Sequence, residues 1–150
     1  MGLRIPIQAS AAALAALAGG GVPRALLRNG ARAVLRSQDV AEGEVSLTLL
    51  GDEEIAELNR RYLQHEGPTD VISFALFEPP EPVLGDIYIG AERARAQALA
   101  RNIPLGHELL RLALHGTLHV LGHDHPAGGG RSRSRMWRLQ ERILEQVLTQ

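Results

Sequence analysis

Residues 105–125 read LGHELLRLALHGTLHVLGHDH. The run from Leu105 to Leu121 is long and apolar, which predicts a helix buried at the centre of the fold. Gly122 follows it at the place where a glycine caps a helix C-terminus. His115 and His119 are separated by four residues, so both imidazoles project from one helical face. That is the spacing at which a helix offers two ligands to one metal ion. Gly122 lets the chain turn back, which can bring His125 round as a third ligand. Three neutral imidazoles around Zn²⁺ leave the fourth tetrahedral position to water, as in catalytic rather than structural sites. One histidine on a buried helix more often just satisfies a hydrogen bond; a pair, a turn glycine and a third histidine outweigh that.

Outward from this helix the chain alternates strand and helix signals. An opening strand near Leu3–Gln8 leads into an Ala-rich connector that ends at Gly19-Gly20-Gly21. Pro23 suits a first helical turn, and Leu26, Leu27, Val34 and Leu35 recur at helical spacing across Gly30. Val45–Leu50 is β-branched and apolar, a strand. Asp52 is placed to cap the next helix, with Glu53 and Glu54 in its first turn and Ile55, Leu58, Tyr62 and Leu63 as its buried stripe. Gly67-Pro68 ends that helix. Asp70–Leu76 and Gly85–Gly90 read as strands, Ala91–Asn102 as a helix, Pro126–Ser134 as a loop and Arg135–Leu148 as a closing helix. The expectation is one α/β (α+β) domain over residues 1–150. It has about four strands, about five helices and a buried central helix.

The composition narrows the chemistry. At 45% hydrophobic and 22% charged residues the chain is globular rather than disordered. It has no cysteine, so no disulfide, thiolate ligand or thiol nucleophile is available, and a metal must be held by His, Asp or Glu. A cysteine-free chain suits a reducing cytosol. The Ala/Leu run after Arg4 is interrupted by Pro6 and Gln8 and is too short to span a membrane, so a cytoplasmic protein is expected. The net charge of −1 points away from nucleic acid on its own, but the charge is unevenly spread. Residues 1–38 hold five Arg and no acid, residues 39–92 hold thirteen acids against Arg60 and Arg61, and residues 93–150 hold nine Arg against four acids. The histidine-bearing part is therefore net basic, compatible with a local path for RNA.

The spacing His115, His119, Gly122, His125 matches the metzincin protease pattern H-E-x-x-H-x-x-G-x-x-H at every position but one. The glutamate that serves those proteases as base is here Gly116, which has no side chain to take a proton. This argues against a protease. Asp124 is a candidate to orient a ligand imidazole from outside the coordination sphere, with a turn-forming aspartate as the equal alternative. His123 is expected to face solvent rather than to act as a fourth ligand.

The segment His115-Gly-x-Leu-His119-x-x-Gly122-x-Asp124-His125 resembles the signature of the YbeY family, bacterial rRNA maturation factors and metal-dependent single-strand endoribonucleases. The resemblance extends, in the family's order, to Leu58-Asn59-x-x-Tyr62, to Pro68-Thr69-Asp70-Val71-Ile72-Ser73-Phe74, to Gly85-Asp86-Ile87 and to Glu108-Leu109. Met136 and Glu141 resemble its C-terminal helix. It implies a mixed four-stranded sheet around a central helix, and zinc, one ion per chain, on His115, His119 and His125. It also implies action on the 3′ end of small-subunit ribosomal RNA, a part in ribosome quality control, and RNA, the small ribosomal subunit and ribosome-assembly proteins as partners.

Three positions depart from the family. Many members have Arg directly after the tyrosine matching Tyr62, held to act on the phosphate; here that residue is Leu63. Arg60 or Arg61 can approach the same cleft, Arg61 being the candidate, although it sits ~100° round the helix from Tyr62. A solvated surface arginine is the plain alternative. His123 replaces the family's usual tyrosine. Arg131, Arg133 and Arg135 make a loop basic that is often acidic in relatives, either a solvated turn or a phosphate-contacting arm. Thr69, Asp70 and Ser73 serve a turn or line the cleft opposite the metal, with the turn slightly favoured. Two rival functions stand beside the zinc endoribonuclease. One is a non-catalytic, zinc-stabilised ribosome-assembly factor; the other is a zinc hydrolase of small amides or esters.

Overall fold

The computed structural model describes residues 2–123 and 131–150, and the side chains of all of these except 131–134. Its elements are β1 Leu3–Arg4, β2 Ile7–Ala9, α1 Ala11–Ala16, α2 Arg24–Ser37, β3 Gly43–Leu50 and α3 Asp52–Leu63, then β4 Val71–Ala75, β5 Val83–Gly90, α4 Ala91–Arg101, α5 Leu105–Val120 and α6 Arg131–Leu148.

The sheet is mixed. Its order is β1-β3-β5-β4, with β2 also pairing with β3. β1, β2 and β5 run parallel to β3, and β4 runs antiparallel to β5. The sheet thus has five strands where four are expected. The extra strand comes from Pro6. Leu3 pairs with Gly43 and Ile7 with Leu47, so β1 and β2 keep one register along the same edge of β3. Leu47 donates its N–H to the Pro6 carbonyl at 2.9 Å, but proline has no N–H to continue the ladder. One edge lane is therefore broken into two short strands. Its outer carbonyls are covered by α2: Arg28 Nε donates to Ile5 at 3.2 Å, and Arg24 donates to the Ile7 carbonyl.

Three further local expectations change. The Ala-rich connector is the short helix α1, capped by Ser10, whose Oγ accepts the Ala13 N–H at 3.1 Å. Gly51, not Asp52, is the N-cap of α3, and Glu54 reaches back to accept the Gly51 N–H at 2.8 Å. The stripe of α3 is narrower than its apolar residues suggest, since the buried positions are Ile55 and Asn59. Tyr62 is 57% exposed and sets its ring edge-to-face on Phe74, 5.7 Å away, while Asn59 Nδ2 donates to the Gly67 carbonyl at 2.9 Å and closes the turn after the helix.

α5 is the hub, packing against β4, β5, α2, α4 and α6. Leu109, Leu110, Leu114 and Leu118 are buried in the core with Leu27, Leu35, Leu47, Leu49, Ile87 and Ile89. α2 passes so close that a Cβ on Gly30 would collide with Leu110 of α5. The helix ends as the sequence predicts: Gly122 takes φ +93° and the His123 N–H returns to the Leu118 carbonyl at 3.0 Å. Among the described residues no helix is long and apolar enough to cross a membrane.

Candidate metal centre

The approach of α5 to the sheet decides what its histidine face can hold. A Cβ on Gly116 would lie 2.6 Å from Ile87 Cγ2, 3.1 Å from Ser73 Oγ and 3.3 Å from Val71 Cγ2. Position 116 is therefore pressed against β4 and β5, and a larger residue there would have to push the helix off the sheet. Ser73 Oγ donates to the Gly116 carbonyl at 3.1 Å across this contact. The glutamate of the protease pattern has no room at this position, so the helix contributes ligands without an adjacent base.

His115 and His119 lie on the wall of a cleft of about 450 Å³ that Leu63, Asp70 and Ser73 also line. Both rings are half-buried. Their Nε2 atoms are 3.0 Å apart and the ring planes cross at 71°. Two nitrogens each about 2.0–2.1 Å from a tetrahedral zinc ion stand about 3.3 Å apart. The pair needs only a few tenths of an ångström of adjustment to share one ion.

The protonation of His115 follows from its neighbour on α6. His115 Nδ1 is 2.8 Å from Gln140 Oε1, which can only accept, so Nδ1 carries the proton and Nε2 faces His119 as the acceptor nitrogen. Gln140 is 1% exposed and its Nε2 donates to Glu141 Oε2 at 3.1 Å. Arg111 holds that carboxylate with two hydrogen bonds of 2.9 Å and gives a third, also 2.9 Å, to the buried Glu108, which Arg101 joins at 2.9 Å. Burial pushes the Glu141 carboxyl up, but the hydrogen bonds from Arg111 and Gln140 outweigh it and hold it below the ordinary value. The donor set thus fits a borderline metal such as zinc: two imidazoles, one with its tautomer set from behind.

His125 and Asp124, the expected third ligand and its neighbour, lie outside the described residues. Among the described residues no group of three His, Cys, Asp or Glu side chains is placed to hold a metal ion.

Residues 22–148 match the family model described as Endoribonuclease YbeY. The chain belongs to the YbeY family. It is similar to the Endoribonuclease YbeY of Desulfitobacterium hafniense, 46% identical over 133 residues, covering 81% of this chain and 83% of that one. The Endoribonuclease YbeY of Mycobacterium ulcerans is 43% identical over 128 residues, covering 77% and 71%. Among solved structures the chain is similar to the solution structure of TM1509 from Thermotoga maritima, with a TM-score of 0.63 and 28% identity over 95% of this chain and 88% of that one. The expected mixed α/β architecture and the resemblance to YbeY both hold.

Where the structure places the other residues weighed from sequence is uneven. Leu63 lines the cleft beside the histidines. Arg61 is exposed and its guanidinium lies 3.4 Å from Glu57, the carboxylate that Arg60 contacts at 2.6 Å. Asp70 and Ser73 line the cleft, and Gln97 Nε2 donates to Asp70 Oδ2 at 3.2 Å. Thr69 is not among the residues lining it. His123 is half-buried rather than solvent-facing, because its Nε2 donates to Gln38 Oε1 at 2.9 Å at the end of α2. Arg131, Arg133 and Arg135, expected in a loop, belong instead to the start of α6; Arg135 is exposed, and the side chains of Arg131 and Arg133 lie outside the described residues. Gln140 was not singled out from sequence. A glutamine 25 residues from the histidine it serves carries no spacing signal, and only the packing of α6 on α5 reveals it.

Proposed function

We propose that this member of the YbeY family hydrolyses single-stranded RNA at one zinc ion held by His115, His119 and His125. We place its action at the 3′ end of small-subunit ribosomal RNA and in ribosome quality control, in the cytoplasm, with ribosome-assembly proteins as partners. That it is an endoribonuclease, and so a hydrolase, follows from its family. The observation that carries the zinc reading is the pair of Nε2 atoms 3.0 Å apart on the wall of a cleft.

A zinc ion held there would supply Lewis acidity toward a phosphate oxygen and would help water act as nucleophile near neutral pH. His115 and His119 present their Nε2 atoms from a helix that is locked onto the sheet, and Gln140 keeps the His115 ring in the ligating tautomer. The role we assign to Asp124 is to orient a ligand imidazole. Leu63 gives this cleft an apolar wall where relatives offer a guanidinium. The phosphate-contacting cation of α3 is Arg61. Its exposed pairing with Glu57 holds it only weakly and lets it swing to a bound strand. In the hydrolysis a P–O bond forms from water as the P–O bond to the leaving ribose oxygen breaks, and one proton passes from water to that oxygen.

The test combines metal analysis with cleavage of a structured ribosomal RNA 3′ end, using His119→Ala prepared identically. One zinc per chain and cleavage in the parent, both lost in the variant, are expected. Cleavage that persists in His119→Ala would sink the zinc mechanism. RNA binding that is indifferent to zinc, with no cleavage by either form, would favour a non-catalytic assembly factor.

A further inference from the structure

Nothing in the histidine motif requires a glutamine, yet a buried one accepts a hydrogen bond from His115. Gln140 is 1% exposed and its Oε1 lies 2.8 Å from His115 Nδ1. Its amide has one workable orientation. Turned over, its carbonyl would face Glu141 Oε2, now 3.1 Å from Nε2, and two acceptors would be buried against each other. Glu141 cannot yield, because Arg111 grips both its oxygens at 2.9 Å and is itself tied to the buried Glu108. The fixed order is thus Arg111 to Glu141, Gln140 to Glu141, and His115 to Gln140, each donating to the next acceptor. It ends by placing the proton on His115 Nδ1 and the acceptor nitrogen, Nε2, toward His119. A neutral histidine in water favours the other tautomer, with the proton on Nε2, which would block ligation.

We propose that Gln140 is a positioning residue, which selects the Nδ1–H tautomer and ring plane of His115 and thereby sets the zinc affinity of the site. The inference rests on the zinc reading above. Groups in this position relative to a ligand histidine change metal affinity by roughly 10–100-fold when removed.

The experiment uses the full chain and zinc alone as probe. Two-bond proton–nitrogen NMR correlations of the metal-free protein report the tautomer of each histidine, and competition with a chromophoric chelator reports zinc affinity. The parent is expected to show His115 as Nδ1–H. Gln140→Met, which keeps the volume and loses the acceptor, is expected to move His115 to Nε2–H and to weaken zinc binding roughly 10–100-fold. Should the Met variant fail to fold, Gln140→Asn withdraws the carbonyl by one methylene and is read in the same two ways. A purely structural role predicts lower stability with tautomer and affinity unchanged in the folded variants. That result overturns the proposal. His115→Ala separates the levels: if it binds zinc as the parent does, the zinc reading itself is wrong. If it loses zinc while Gln140→Met does not, only the role of Gln140 is wrong.

Discussion

Replacing Gly116 with alanine tests the claim that the histidine face of α5 is set by contact with the sheet. The added Cβ would stand 2.6 Å from Ile87 Cγ2, against an optimum near 3.5–4.0 Å, so about 1 Å must be found. Ile87 is fully buried and stiff at χ1, and Ser73 and Val71 crowd the same point at 3.1 and 3.3 Å. Overpacking of this kind costs about 1–3 kcal/mol, and the poor accommodation argues for the upper half. Alanine gains about 1 kcal/mol over glycine in helix propensity. The net loss is about 1–2 kcal/mol, a fall in Tm of about 2–8 °C for a chain of this size. Urea unfolding of the metal-free protein, followed by far-UV circular dichroism, measures it. The same displacement moves His115 and His119 away from β4, so zinc affinity falls in the variant as well. An alanine variant at least as stable as the parent, with unchanged zinc affinity, would refute the close-approach account of this glycine.

Arg111→Met removes the cation shared by Glu108 and Glu141. With Arg101 still on Glu108, the loss is about 3 kcal/mol in urea unfolding, near the low end for a broken buried pair; a change under 1 kcal/mol would count against the network. Arg61→Ala leaves unfolding within about 0.5 kcal/mol of the parent, since its partner is an exposed carboxylate. It lowers the slope of log RNA affinity against log salt by about 1 if Arg61 meets a phosphate; an unchanged slope removes it from the RNA path. Glu141 supplies a pH test. Its folded carboxyl titrates below the ordinary value, so the folded chain binds fewer protons there than the unfolded one. Its contribution to stability is complete above about pH 4.3 and is lost as the pH falls through the folded value. Glu141→Gln should flatten that part of the curve of urea midpoint against pH, and an unchanged curve would contradict the assignment.

The helix that carries the ligands was legible because its signals are local. An apolar run, a four-residue histidine spacing and a glycine at the exit each act within a turn or two, and α5 forms as they dictate. What pairs with what was less legible. Pro6 lies in plain view, yet that it splits one lane of the sheet depends on its carbonyl meeting the Leu47 N–H of β3. Tyr62 sits at helical spacing from Ile55 and Leu58 but is exposed, meeting Phe74 only with a ring edge. The site divides in the same way. His115 and His119 announce themselves, whereas Arg111 and Glu141 meet from two helices, 30 residues apart in the chain, and Gln140 comes with Glu141. Gly116 is a halfway case: its lack of a side chain is readable, but the crowding that demands it belongs to Ile87 and Ser73 on other strands.

β4 closes the sheet order, with β5 on one side and, among the described residues, no strand on the other. It is also the strand from which Ser73 reaches the histidine cleft. A floor bounded by the last strand of a sheet lets a long polymer lie across it and run on past both margins. Such a trough has no need of a free terminus, which suits scission within a chain. The arginine-covered edge at Ile5 and Ile7, on the opposite side, is already occupied. The two borders of one sheet thus differ: one is covered by its own helix, and the other runs along the histidine cleft.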